Sequence, residues 1–209
     1  MAKGPLILLA AIATAALGPG RFSATGLAGW APQTFKNKAP TTYALVRDGD
    51  SQVLSATCNS GASGLIRKES VDLAQTPMLR WRWRLDEARD NVHERDKAGD
   101  DFALRVYVVR DGGWFWWRTR SLVYVWASRE PAGADWPNPY TAQAHTVALR
   151  SGAAELGHWQ EEARDVRADF RRYFDMELER VDGVAVMTDC DDTHSRVRAT
   201  YGDVSFGPR

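Results

Sequence analysis

Two clusters of carboxylates are the residues of this chain whose type and spacing are best suited to chemistry. Asp100 and Asp101 follow Gly99 at the mouth of an alternating run, Phe102 to Val109, and Asp189, Asp191 and Asp192 crowd a turn much later in the chain. Paired carboxylates can transfer a proton at a glycosidic bond or ligate calcium through oxygen. They can also simply bond loop amides and pair with nearby bases such as Lys97 and Arg105, since structural ion-pair networks mimic functional ones. The catalytic candidates are Asp100 or Asp101 acting with Asp189 or Asp191. The metal candidates are Asp189, Asp191 and Asp203, for a structural calcium at most, because Asp189-x-Asp191 lacks the glycine and distal Glu of an EF-hand loop. No other cofactor is expected. Catalysis and calcium binding both require the two clusters to meet in space.

A second set of residues suits ligand binding. Trp114, Trp116 and Trp117 follow the turn signal Asp111-Gly-Gly113. Trp136-Pro-Asn-Pro-Tyr-Thr141 is a loop stiffened by two prolines that would present Asn138 and Tyr140. Flat aromatic rings match the C–H faces of pyranoses, and Asp101, Arg105 and Asn138 would supply hydrogen bonds. The expected partner is a glycan or an envelope polymer. Against an enzyme of the usual kinds, the chain has no G-x-S-x-G, no H-E-x-x-H, no phosphate-cradling glycine loop and no dinucleotide fingerprint. Its four histidines are scattered.

The elements that must position these residues read as strands. Leu79, Trp81, Trp83 and Leu85 alternate with Arg80, Arg82 and Arg84, which predicts a core face and a solvated or carboxylate-paired face. Phe102, Leu104, Val106 and Val108 form the core face of the central strand. Thr41 to Arg47 and Gln52 to Thr57 predict a pair about Asp48-Gly-Asp50, Leu65 and Ile66 begin a short strand, and Glu155 to Asp165 predicts another centred on Trp159. Val166, Phe170, Tyr173 and Phe174 lie at i, i+4, i+7 and i+8 and predict one short helix.

The totals limit the reading. There are 27 basic and 27 acidic residues, so no global field favours nucleic acid or an anionic membrane, and only local fields remain open. Lys3 precedes an apolar run from Pro5 to Leu17 with A-x-A cleavage options, which predicts a signal peptide over residues 1–16 and a periplasmic or secreted product. No membrane span is expected after cleavage. Residues 17–40, rich in Gly, Pro and Ala, read as an N-terminal lead-in and 41–209 as one domain. Cys58 and Cys190, the only cysteines, permit one disulfide in an oxidising compartment; two buried free thiols are the preferred expectation.

Several blocks carry a family resemblance: Trp81-Arg-Trp83, Lys97-Ala-Gly-Asp-Asp-Phe102, Arg105-Val-Tyr-Val108, Tyr124-Val-Trp-Ala127, Trp136-Pro-Asn-Pro-Tyr-Thr141, Gly183-Val-Ala-Val-Met-Thr-Asp189 and Tyr201-Gly-Asp203. With them the chain resembles the DUF3047 family, exported bacterial proteins of unknown function, over roughly residues 30 to 206. The resemblance implies one domain and brings no activity with it. The strand order also looks similar to jelly-roll carbohydrate-binding modules. The expectation is a mainly β chain, a jelly-roll-type β-sandwich with one short helix preceded by a signal peptide. Its function would be ligand binding, with a carboxylate-dependent glycan hydrolase or lyase, or a structural envelope protein, as alternatives.

Overall fold

The computed structural model describes residues 20–88, 90 and 93–209, apart from the side chain of Trp116. The expected signal peptide lies outside the described residues. Alternating strands build two sheets because each strand has one apolar face to bury. The first sheet is seven-stranded and runs in the spatial order β1 (Ala31–Thr34), β4 (Ala62–Asp72), β11 (Arg180–Asp189), β6 (Arg105–Arg110), β7 (Arg120–Ala127), β9 (Ala144–Ser151) and β8 (Asp135–Pro137). The second orders β10 (Gln160–Asp165), β5 (Met78–Glu87), β12 (Arg196–Gly207), β3 (Ser51–Asn59) and β2 (Thr42–Asp48). Neighbours are antiparallel except β7 and β9, which run parallel. The result is a jelly-roll-type β-sandwich.

The core lies between the sheets, and the alternation predicts most of its contents; Phe102, expected on the core face, precedes β6 and packs with Trp136 on the outer side instead. Leu79, Trp81, Trp83 and Leu85 face Leu104, Val106, Val108 and Tyr124 across it, all buried. The edge of Trp81 meets Trp83 at 5.3 Å, and Trp81 lies 5.5 Å from Tyr124. The outward arginines of β5 are held as expected: Arg84 pairs with Asp86 and Asp48, and Arg82 lies over the Trp159 ring at 4.5 Å. The predicted helix is α2 (Val166–Phe174), with Phe170 buried. Asp165 caps it by accepting from the Ala168 amide.

The lead-in holds a helical turn, α1 (Phe22–Thr25), and the edge strand β1, where Pro32 is tolerated because a sheet edge needs no donor on its open side. Three more expectations change. Strand β4 is eleven residues long rather than short, its polar run Arg67 to Ser70 lying near the sheet margin. Strand β10 begins at Gln160, after turns from Ala154 to Gly157. Finally, Cys58 and Cys190 form a disulfide, with Cα atoms 6.2 Å apart. Cys58 ends on β3 of one sheet and Cys190 follows β11 of the other, so the bond ties the sheets together beside the late acidic turn.

Candidate functional site

The outward face of the seven-stranded sheet carries a groove, its floor lowered where the register sets Gly64, Ala185 and Gly183 among larger neighbours. One row across the strands reads Gly64, Met187, Arg105 and Val125; the next reads Ile66, Ala185, Tyr107 and Val123; the third reads Lys68, Gly183, Val109 and Ser121. Over β7 the face is covered: Val123 and Val125 are buried beneath Phe102, Trp136 and Ala144. Over β4, β11 and β6 it is open. The open part is a groove of about 570 Å³ with Ile66, Ala185, Tyr107, Val109 and Met187 in its floor. Gln33, Phe35, Lys36 and Lys38 line it from the β1 edge, and Asn138, Tyr140 and Thr141 from the β8–β9 loop. Phe35 and Tyr140 are exposed. At Gly64 a Cβ would lie 2.8 Å from the Val186 carbonyl oxygen, so this part of the floor must stay low.

At one end of the groove the two predicted acidic clusters meet around Arg105, which is only 2% exposed. Its Nε donates to Asp189 Oδ1 at 3.1 Å and its Nη2 to Asp189 Oδ2 at 2.5 Å. Nη1 donates to Asp100 Oδ2 at 3.3 Å and to the Tyr107 hydroxyl at 3.2 Å, and Nη2 also reaches the Asp100 carbonyl. A guanidinium has five N–H donors, and here each has a partner. Arg105 is therefore a clamp between β6, the strand mouth and the end of β11, with no donor left for a ligand. The clamp is supported from the far sheet: Tyr201 of β12 accepts from the Arg105 amide at 3.2 Å and donates to the Met187 carbonyl at 2.6 Å.

The neighbouring carboxylates are equally committed. Asp189 also accepts from the Phe102 amide at 2.9 Å. Asp101 accepts from the amide and hydroxyl of Thr193 at 2.6 and 2.5 Å and so holds the late turn. Asp100 accepts from Asn138 Nδ2 at 3.2 Å, and Asn138 Oδ1 accepts from the Tyr140 amide at 3.0 Å. The Tyr140 hydroxyl reaches Asp192 Oδ2 at 2.8 Å. Lys38 crosses from the opposite wall to pair with Asp191, and lies 3.7 Å from Asp192. Burial, with Asp101 and Asp100 close by, pushes the Asp189 carboxyl well above its usual range against the pull of Arg105. The Asp100 and Asp189 charges outweigh desolvation at Arg105 and keep its guanidinium protonated. Hydrogen bonding to Asp191 raises the Lys38 ammonium.

The predicted site residues thus separate into five sets. Asp100, Arg105, Asn138, Tyr140, Asp189 and Asp191 gather at the groove. Asp101 turns instead into a smaller adjoining cavity of about 290 Å³ that also borders Asp189. Trp136 is 4% exposed, packs on Phe102 and has Arg95 over its ring, so it supports the covering layer and offers no surface for stacking. Trp114 and Trp117 sit on the β6–β7 connection, outside the groove lining. Asp203 stands apart on β12, where it accepts from the amide and hydroxyl of Ser23 at 2.9 and 2.5 Å and anchors α1. Sequence reasoning missed Phe35, Lys38, Tyr107 and Met187. Of these, Tyr107 was legible as an outward residue of the central strand.

Oxygens of Asp101, Asp189 and Asp191 lie within 4.8 Å of one another. Calcium needs six to eight oxygen ligands, whereas these carboxylates already serve Thr193, Arg105 and Lys38. The donor set fits an ion-paired cluster better than a calcium cage.

The model of the family described as "Protein of unknown function (DUF3047)" matches residues 28–205. The chain belongs to DUF3047. No curated protein is similar enough to this DUF3047 chain to match it. Among solved structures it is similar to a carbohydrate-binding module specific for non-crystalline cellulose, at 12% identity and a TM-score of 0.49, over 93% of this chain and 96% of that one. It is also similar to the xyloglucanase domain of NopAA from Sinorhizobium fredii, at 8% identity and 0.49, over 87% and 95%. A third is TmCBM61 in complex with beta-1,4-galactotriose, at 10% and 0.41, over 91% and 95%. What those proteins bind or cleave stays with them at such distances.

Proposed function

We propose that this chain is an exported binding module whose groove takes an extended glycan or envelope polymer. The observation that carries the reading is the groove itself. Its floor is apolar along several strands, and its walls carry amide, hydroxyl and ammonium groups at Gln33, Asn138, Tyr140 and Lys36. A pyranose chain has that same division, with apolar C–H faces and hydroxyl edges. Exposed Phe35 and Tyr140 stand on opposite sides of the floor and can flank such a chain. The Tyr107 hydroxyl accepts from Arg105 and, among the described residues, points its own proton at the Met187 sulfur, 3.7 Å away, a weak acceptor that a sugar hydroxyl would replace.

The hydrolase or lyase alternative is less well served. A glycosidase needs two carboxyls facing the scissile bond, but Asp100 and Asp189 hold Arg105, and Asp101 holds the late turn. The test is a pull-down of the purified protein on insoluble envelope and plant polysaccharides, scoring bound protein and soluble sugar in one supernatant. Retention without release is the expected result. Release of sugar that vanishes in Asp100→Asn would transfer the case to the enzyme reading.

A further inference from the structure

The connection between β6 and β7 displays aromatic surface that the groove does not use. Trp114 is 99% exposed, and Phe115 and Trp117 are exposed beside it. Contiguous exposed apolar surface, unlike a single exposed ring, marks interaction sites. The loop that holds them is built. The Gly113 amide donates to Asp111 Oδ1 at 2.9 Å, the Gly112 amide to the Thr119 hydroxyl at 3.1 Å, and Arg120 Nη1 to the carbonyls of Trp117 and Thr119, both at 2.8 Å. Gly112 is required: a Cβ there would lie 2.3 Å from the Phe115 carbonyl oxygen.

The tip is also basic. Residues 110–120 contain three arginines and one aspartate, in a chain whose overall formal charge is zero. Arg110 is answered by Asp182 at 3.1 Å, while Arg118 lies over the Phe115 ring at 4.7 Å. Tryptophan is enriched at membrane interfaces because its amphipathic ring suits the headgroup level. Arginine beside it pairs with phosphate in a forked geometry. We propose that this hairpin tip docks the protein on an anionic phospholipid surface. A stacking platform for sugars is the less suitable use. The Phe115 and Trp117 planes meet at 65° with centroids 5.2 Å apart, and Arg118 covers one of the rings. Immersion among headgroups needs no shared plane. No helix among the described residues is long and apolar enough to cross a membrane. The inference is independent of the groove.

The test sediments purified protein with vesicles of phosphatidylcholine alone and of phosphatidylcholine mixed with phosphatidylglycerol. Binding should favour the anionic mixture and weaken as salt is added. Trp114→Ala should lower partitioning, and Arg118→Gln should lower it about fivefold, the worth of one basic residue near such a surface. Both side chains are exposed, so unchanged thermal unfolding of each variant confirms that the fold is intact. No binding to the anionic vesicles at low salt, or binding equal in wild type and both variants, overturns the proposal. So does a Trp114→Ala protein that keeps its vesicle binding but loses retention on polysaccharide, which would return the tip to sugar stacking.

Discussion

Arg105 on β6 and Asp189 at the end of β11 meet in a two-point ion pair, at 3.1 and 2.5 Å, that is buried from solvent and fixes one end of the groove. Its energetic sign is asymmetric. Forming such a pair gains little over an apolar pair, but removing Asp189 leaves the buried Arg105 charge with only the longer Asp100 carboxylate contact, at 3.3 Å. Asp189→Ala should therefore destabilise the fold by about 3–5 kcal/mol, read as a lower urea midpoint. A near-neutral result would mean that the cluster is solvated and open to a ligand.

The disulfide makes a separate prediction. Cys58 and Cys190 are 132 residues apart in sequence, so their link removes much loop entropy from the unfolded chain. The Cys58→Ala/Cys190→Ala protein should lose up to about 5 kcal/mol. Urea unfolding of wild type with and without reductant should show a shift in the same direction.

Trp136 and Tyr140 share one loop but should behave oppositely. Trp136→Ala empties a buried site and should cost about 3–5 kcal/mol. Tyr140→Ala removes an exposed ring and a hydroxyl contact, for about 1 kcal/mol, while weakening retention on the ligand polymer. Stability and retention measured on both variants separate the two roles.

The cap of α2 sets an acid dependence. Partial burial pushes the Asp165 carboxyl up, but the Ala168 amide and the Arg209 guanidinium outweigh it and hold the group below its ordinary value of 3.8. A depressed folded-state pKa means stability that is present above that ordinary value and lost as pH falls through the folded one. Asp165→Ala should cost about 1 kcal/mol at neutral pH. That gap should close as the pH is taken below 3.8. A gap that persists in acid would show that the carboxylate charge is not what caps the helix.

The sandwich was largely legible because it rests on period-two alternation. Trp81 and Trp83, or Val106 and Val108, reveal their face without any partner in view. The site was legible only in part. Asp100, Arg105 and Asp189 stood out as residues, but their meeting depends on pairing β6 with β11 across a long stretch of chain. The walls were harder still. Phe35 and Lys38 lie in a stretch of mixed Gly, Pro and Ala whose β1 segment is held by pairing with β4, a tertiary effect with no local periodicity. Trp136 was misjudged because a proline-rich loop suggests exposure, whereas its ring caps the Val123 and Val125 face.

The central claim is that the groove binds a polymer, and Ala185 offers the most direct test. It lies in the middle of the floor between Ile66 and Tyr107, faces outward, and is on a β-strand, an element in which aromatic side chains are enriched. Ala185→Trp would fill the groove while leaving the core untouched. The measurement is retention of wild type and Ala185→Trp on the polysaccharide that wild type binds best, with thermal unfolding of each recorded in parallel. The account predicts retention lost and unfolding temperature unchanged within a few degrees. A folded Ala185→Trp protein retained as well as wild type would contradict it.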